Sequence, residues 1–165
     1  MKKTIVIWML LAGGAQAASF QQGTSGLGLT LGSGTVTYNY RDNQQYWIVG
    51  VYGSHFFLDG LEVGAGYRGW FGATPAIHQV SLPATYYVPL ENRVRPYGGL
   101  FYRYTFINDP QEENYSSIGI RAGIAVNLTK NSYAGFGWVQ EYYGNCDNRS
   151  ECTSGYPEAQ ISFSF

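Results

Sequence analysis

From Leu61 to Phe165 apolar residues alternate with small or polar ones almost without a break, and this period of two limits the fold more than any other feature. Leu61, Val63, Ala65 and Tyr67 lie on one face of an extended segment, and Glu62, Gly64, Gly66 and Arg68 lie on the other. The pattern returns with Val80, Leu82, Ala84, Tyr86, Val88 and Leu90 against Gln79, Ser81, Thr85 and Tyr87. It continues with Leu100, Tyr102, Tyr104 and Phe106 against Gly99, Phe101, Arg103 and Thr105. Ile118, Ile120, Ala122, Ile124, Val126 and Leu128 then oppose Ser117, Gly119, Arg121, Gly123, Ala125 and Asn127. Ala134, Phe136 and Trp138 oppose Gly135, Gly137 and Glu141, and Ala159, Ile161, Phe163 and Phe165 oppose Glu158, Gln160, Ser162 and Ser164. Residues 45 to 57 make a further strand, with Trp47, Val49 and Val51 against Gly50, Tyr52 and Ser54.

The stretch from Ser25 to Arg41 has two phases. Leu27, Leu29 and Leu31 are odd, whereas Val36, Tyr38 and Tyr40 are even. A one-residue shift across Gly32-Ser33-Gly34 is what a β-bulge produces; a hairpin turning there is the competing reading. Parity favours the bulge. With it, the connections divide into two sets: Leu58 to Gly60, Leu90 to Pro96 and Thr129 to Ser132 at one end, and Arg41 to Gln44, Gly72 to Pro75, Asn108 to Asn114 and Gly144 to Gly155 at the other. Outer-membrane barrels have even strand numbers, short periplasmic turns and longer outer loops. The expected fold is therefore all-β, an antiparallel up-and-down transmembrane β-barrel of eight strands, with a β-bulge near residues 32–34 of strand 1.

Volume and charge decide which face is inside. An eight-stranded barrel has an interior just wide enough for its own side chains, so the glycine-rich face belongs there. The apolar face carries no charge in the middle of any strand, as lipid contact requires at about 2–4 kcal/mol per midplane Arg or Lys. Charged residues make up only 13% of the chain, against 17% aromatic. Six charges fall on the inner face: Glu62, Arg68, Arg103, Arg121, Glu141 and Glu158. Balanced in sign and confined, they are expected to satisfy one another with Gln79, Gln160, Tyr87 and Ser162, as a structural polar core or as an ion pathway. Aromatics near strand ends are expected to form two interfacial girdles: Tyr40, Tyr46, Trp70, Phe71, Phe106, Tyr115, Tyr142, Tyr143 and Tyr156 towards the loops, and Phe57, Tyr97, Tyr133, Phe163 and Phe165 towards the turns.

Lys2 and Lys3, the apolar run Ile5 to Ala12 and the small residues Gly13 to Ala17 read as a secretory signal peptide, residues 1–17. Residues 18–165 are then the barrel domain, and no run in them is long and apolar enough for a membrane-spanning helix. Without Lys2 and Lys3, eight of the ten basic residues remain against eleven acidic ones, which gives no reason to expect nucleic acid. Both cysteines lie in the exported part, so Cys146 and Cys152 are expected to close a loop disulfide.

The last ten residues, Tyr156 to Phe165, resemble the C-terminal assembly signal of outer-membrane proteins, with a terminal Phe165 and Phe163 and Ile161 at every second position before it. That resemblance implies the barrel-assembly machinery as a partner during biogenesis. Across the exported part, segments such as Gly60 to Tyr67, Arg95 to Leu100 and Ile118 to Ile124 resemble the small OmpA/OmpX-type and opacity-like barrels. This implies a Gram-negative outer membrane with lipid around the barrel, outer loops at the cell surface and both termini in the periplasm. Such families hold adhesins, anchors and small channels, so the likeness bears on fold and location only.

No catalytic set emerges. A lipid A deacylase-like barrel needs a lipid-facing His and Ser two residues apart, but His78 has Val80 at that spacing and His55 has Phe57. Ser81 points to the face opposite His78. A palmitoyltransferase-like acyl site does not suit a charged lumen. The acidic group Asp109, Glu112, Glu113 and Asn114 reads as a solvated loop, and no Cys/His cluster suggests a metal. The expected function is a monomeric, non-enzymatic, cofactor-free barrel with a structural or cell-surface interaction role and a charge-plugged lumen. A narrow porin-like channel is the alternative and a lipid-modifying enzyme the third.

Overall fold

The structure, a computed structural model, describes residues 19–38, 42–72, 75–90, 93–108, 113–144 and 152–165, with backbone only for 34–38 and 42–44. The expected signal peptide lies outside the described residues, as do Tyr40, Arg41, Asp109, Glu112 and Cys146. The strands are β1 (Ser25–Tyr38), β2 (Asp42–Leu58), β3 (Leu61–Phe71), β4 (Ile77–Tyr87), β5 (Val94–Ile107), β6 (Tyr115–Thr129), β7 (Ser132–Tyr143) and β8 (Thr153–Ser164). Each pairs antiparallel with its sequence neighbour, and β1 pairs with β8 to close an eight-stranded up-and-down barrel. Closure removes every free sheet edge within the paired wall, which a backbone in hydrocarbon requires.

Boundaries shift where the sequence rule had no purchase. Asp42 to Gln44 continue β2 instead of forming a loop, Val88 and Leu90 lie beyond β4, and β8 starts at Thr153. The expected bulge at Gly32-Ser33-Gly34 is absent: β1 pairs with β2 in a single register from Ser25↔His55 to Tyr38↔Asp42. The change of phase has another cause. Pairing of β1 with β8 ends at Gly32↔Glu158, and pairing of β2 with β3 begins at Trp47↔Phe71. Above those residues β1 and β2 form a two-stranded ribbon rising from the barrel. There the rule that separates an apolar outer face from a small-residue inner face no longer applies.

The inner face is packed by two buried apolar clusters and a polar network. At the short-turn end Phe20, Phe56, Tyr87, Tyr97, Ala125 and Tyr133 form one buried cluster. At the loop end Tyr46, Ile48, Trp70, Ile77, Phe101, Val139 and Tyr156 form another. The polar residues interleave with both clusters: Arg103 and Glu141 lie loopward of Phe101 and Val139, and Glu62 lies at the short-turn end beside Phe56. Tyr46, Trp70, Tyr97, Tyr133 and Tyr156 are therefore not girdle residues: their parity puts them inside, and they cap the lumen. Phe57, Phe71, Phe106, Tyr142, Phe163 and Phe165 are exposed on the outer face or rim as expected.

Phe20 reaches the lower cluster from a hook that precedes β1. The Gly60 N–H donates to the Phe20 carbonyl (2.9 Å), the Ser19 N–H to the Lys130 carbonyl (3.0 Å) and the Gly23 N–H to the Phe56 carbonyl (2.8 Å). Gly60, at φ +80°, has no room for a side chain, since a Cβ there would lie 2.3 Å from the Tyr87 carbonyl oxygen. Phe20 itself has φ +80°, a left-handed conformation unfavourable to a bulky residue, held because its ring packs 4.7 Å from those of Tyr87 and Tyr133. Phe20→Ala is expected to lower stability by about 3 kcal/mol in reversible urea unfolding from detergent. Phe20→Gly, which loses the same ring but relieves the backbone, should be no worse than Phe20→Ala.

Candidate functional site in the lumen

The six inner charges come from five strands and converge in the lumen. Glu62 and Arg68 stand on β3, Arg103 on β5, Arg121 on β6, Glu141 on β7 and Glu158 on β8. Alternation places each inside, and glycines on the facing strands make space for them. At Gly28 a Cβ would lie 2.1 Å from the Tyr52 ring, so the absent side chain is what lets Tyr52 lie across the lumen. Five of the six are buried, and Arg121 is nearly so.

The structure brings all six into one connected network. Glu158 lies between two guanidiniums, with Arg68 Nη2 3.2 Å from Oε2 and Arg121 Nη2 2.7 Å from Oε1. Arg68 and Arg103 both donate to the Tyr156 hydroxyl, at 3.0 and 2.8 Å. Arg103 also pairs with Glu141, which accepts from Ser117 and from Tyr156. On the other side Arg121 donates to Gln160 Oε1, and Gln160 Nε2 donates to the Tyr87 hydroxyl at 3.3 Å. Tyr87 donates onward to Glu62 Oε2 at 2.9 Å.

Glu62 differs from the other two carboxylates. Among the described residues no cation lies within ion-pair distance of it; it accepts from Ser54, Tyr87 and Tyr133 instead. Of the expected neutral partners, Gln160 and Tyr87 belong to the network. Gln79 stands apart, accepting from Trp70 Nε1 (2.8 Å) and donating to Thr105 (3.1 Å). Ser54, Ser117, Tyr133 and Tyr156 were missed, although each has the parity of the inner face. Stacking adds to the hold: the Arg103 guanidinium lies 4.3 Å from the centre of the Phe101 ring, and that of Arg121 lies 5.3 Å from the centre of the Tyr97 ring. A cavity of about 20 Å³ beside Arg68, Arg103 and Glu158 has room for about one water.

Elsewhere, polar pairs sit at the rims. His78 Nδ1 lies 2.7 Å from the Tyr67 hydroxyl, and His55 Nδ1 lies 3.0 Å from Ser25 Oγ across the β1–β2 ladder. The Ser25–His55 pair was invisible to a search along one strand. Among the described residues no carboxylate forms an ion pair with either histidine. Cys152 lies just before β8, whereas its expected partner Cys146 is outside the described residues. Ile161, Phe163 and Phe165 line the outer face of β8 and its end.

Because Glu158 balances two buried guanidiniums and Glu62 accepts only from hydroxyls, their removal should differ. Glu158→Gln is expected to cost about 3–5 kcal/mol in urea unfolding, the usual range for orphaning buried charge. Glu62→Gln should cost about 1–3 kcal/mol, the scale of a disturbed buried hydrogen-bond set. Equal losses would contradict the assignment of Glu158 as the hub.

No protein-family model matches the chain, and no curated protein matches it in sequence. Solved structures do match. The N-terminal β-barrel domain of Pseudomonas aeruginosa OprF is similar at a TM-score of 0.69 and 17% identity, over 87% of this chain and 98% of that one. Neisserial surface protein A is similar at 0.68 and 14%, with the same coverage of each chain. Ail, the attachment invasion locus protein of Yersinia pestis, is similar at 0.56 and 12%, over 88% of this chain and all of that one. At such identities the likeness is one of architecture, and the architecture is that of the small eight-stranded barrels of bacterial outer-membrane proteins.

Proposed function

We propose that the protein is an integral outer-membrane barrel with a structural or cell-surface interaction role, neither a channel nor an enzyme. The observation that carries this reading is the sealed lumen: a connected, buried Arg–Glu network is packed against two apolar, aromatic-rich clusters. An ion crossing it would have to displace Phe20, break the Glu158 bridges and part the Tyr46–Trp70 cap in turn. Each step exposes buried charge or apolar surface.

The outer face supports the membrane setting. Leu100 and Ile118 are each 63% exposed, and Trp138 and Phe136 are each 55% exposed, in a belt without mid-strand charge. A belt of that kind in water is an association surface, and in hydrocarbon it is solvated. The short turns then face the periplasm with both termini, and the longer connections face outward. Those connections are the surface open to an extracellular partner, a role in keeping with two similar structures being, by name, a surface protein and an attachment invasion locus protein. Outer-membrane lipid surrounds the barrel, and the face of Ile161, Phe163 and Phe165 on β8 is offered to the assembly machinery. A Cys146–Cys152 disulfide ties the last loop.

Purified protein in planar bilayers is expected to give no reproducible unitary conductance; stepwise openings abolished by Gly66→Leu, which would fill the lumen cavity that Gly66 lines, would make it a narrow channel. Alkylation under denaturing conditions without reductant should leave the intact mass unchanged. Mass added at both cysteines would remove the disulfide.

A further inference from the structure

The seam that closes the barrel is incomplete at its loop end, and a groove opens there. The β1–β8 ladder stops at Gly32↔Glu158, although β1 continues to Tyr38 and β8 begins at Thr153. Continued in register, the next pair would join Ser33 to Pro157, and Pro157 has no N–H to contribute to a ladder. Beyond this point the facing edges of β1 and β8 are not paired to each other. A groove of about 430 Å³ lies on the outer side of this gap, walled by Leu31, Trp47, Val49, Phe136, Pro157 and Ala159. Glu158 at its floor is held by Arg68 and Arg121, which makes the groove blind and separates it from the lumen.

We propose that this groove is a binding site for one acyl chain of a membrane lipid, seated lengthwise between β1 and β8. The proposal rests on the outer-membrane reading above. Three features of the groove point to an acyl chain. Its walls are apolar side chains. It is continuous with the apolar outer belt through Leu31, Val49 and Phe136, so the chains that cover the belt also cover the groove. Its upper end runs between two strand edges not paired with each other, where backbone amide groups can meet the ester or amide linkage of a lipid. On either side of the groove the β1–β2 and β7–β8 ladders are paired along its length. At this seam a chain is flanked on both sides.

The test uses the full exported chain in vesicles of phosphatidylethanolamine and phosphatidylglycerol, doped with a phosphatidylethanolamine carrying a diazirine midway along one acyl chain. After photolysis, mapped adducts are expected to concentrate on Leu31, Val49, Phe136 and Ala159, in excess over Leu100, Ile118 and Ile120, which are more exposed. Ala159→Trp, which fills the groove, should abolish that excess and leave labelling of Leu100 unchanged. If this variant does not reach the heat-modifiable folded form, Val49→Trp fills the same groove from the opposite wall. Labelling that merely follows exposure around the barrel would overturn the site while leaving the membrane reading intact. Protein–protein adducts across the seam would also overturn it, in favour of a second copy of the chain. Protein that stays in the aqueous phase with no adducts would overturn the membrane reading and the site together.

Discussion

Glu158 held between Arg68 and Arg121 is the interaction on which the rest of the interior depends. Eight strands enclose a space that side chains nearly fill, so a charge on the inner face is answered by another side chain and not by bulk water. A single carboxylate can serve two guanidiniums only if its strand brings it to the axis and the opposing strands leave room. The glycines of the inner faces provide that room. The same constraint explains why hydroxyls recur beside the charges: Tyr156 accepts from two arginines and donates to Glu141, so one phenol links both ion-paired groups.

The aromatic-rich clusters packed against it make this arrangement stable as well as neutral. They keep bulk water away from the charges, which strengthens each charge–charge interaction and raises the cost of opening it. The cluster at the short-turn end is not made by strands alone. Phe20 belongs to a hook tied by backbone hydrogen bonds to Gly60 and Lys130, both on the short turns. Those turns therefore do more than reverse the chain, since they hold the closing residue in place.

Much of this was legible in the sequence, because a period of two has one structural meaning when both faces are constrained. Strand number, the inner and outer faces and all six members of the charge network follow from parity and from the intolerance of lipid for charge. Three features did not. Tyr46, Trp70, Tyr97, Tyr133 and Tyr156 read as girdle aromatics because they lie near strand ends, but parity, the stronger signal, assigned them to the lumen. The phase change at Gly32 looked like a bulge because the two-faced rule was carried past the point where β1 leaves the wall. Phe20 lies outside any strand, and no periodicity marks it. Partners across the barrel, such as Gln160 with Tyr87, depend on register and strand tilt, which a chain read one residue at a time does not reveal.

Sealing the lumen moves function to the exterior. The interior is committed to holding itself together, and a substitution there is felt through several strands at once. The loops and the outer face are under no such obligation. The β1–β8 seam belongs with them for a topological reason: it joins the first and last strands, the pairing of greatest sequence separation in the fold. No hairpin turn holds those two strands in register, so their ladder extends only as far as side chains and backbone donors favour it. At Pro157 the donors run out. Beneath the gap the charge network still ties β8 to β3 and β6 through Glu158. The interaction that closes the interior thus also anchors β8 beside the open part of the wall.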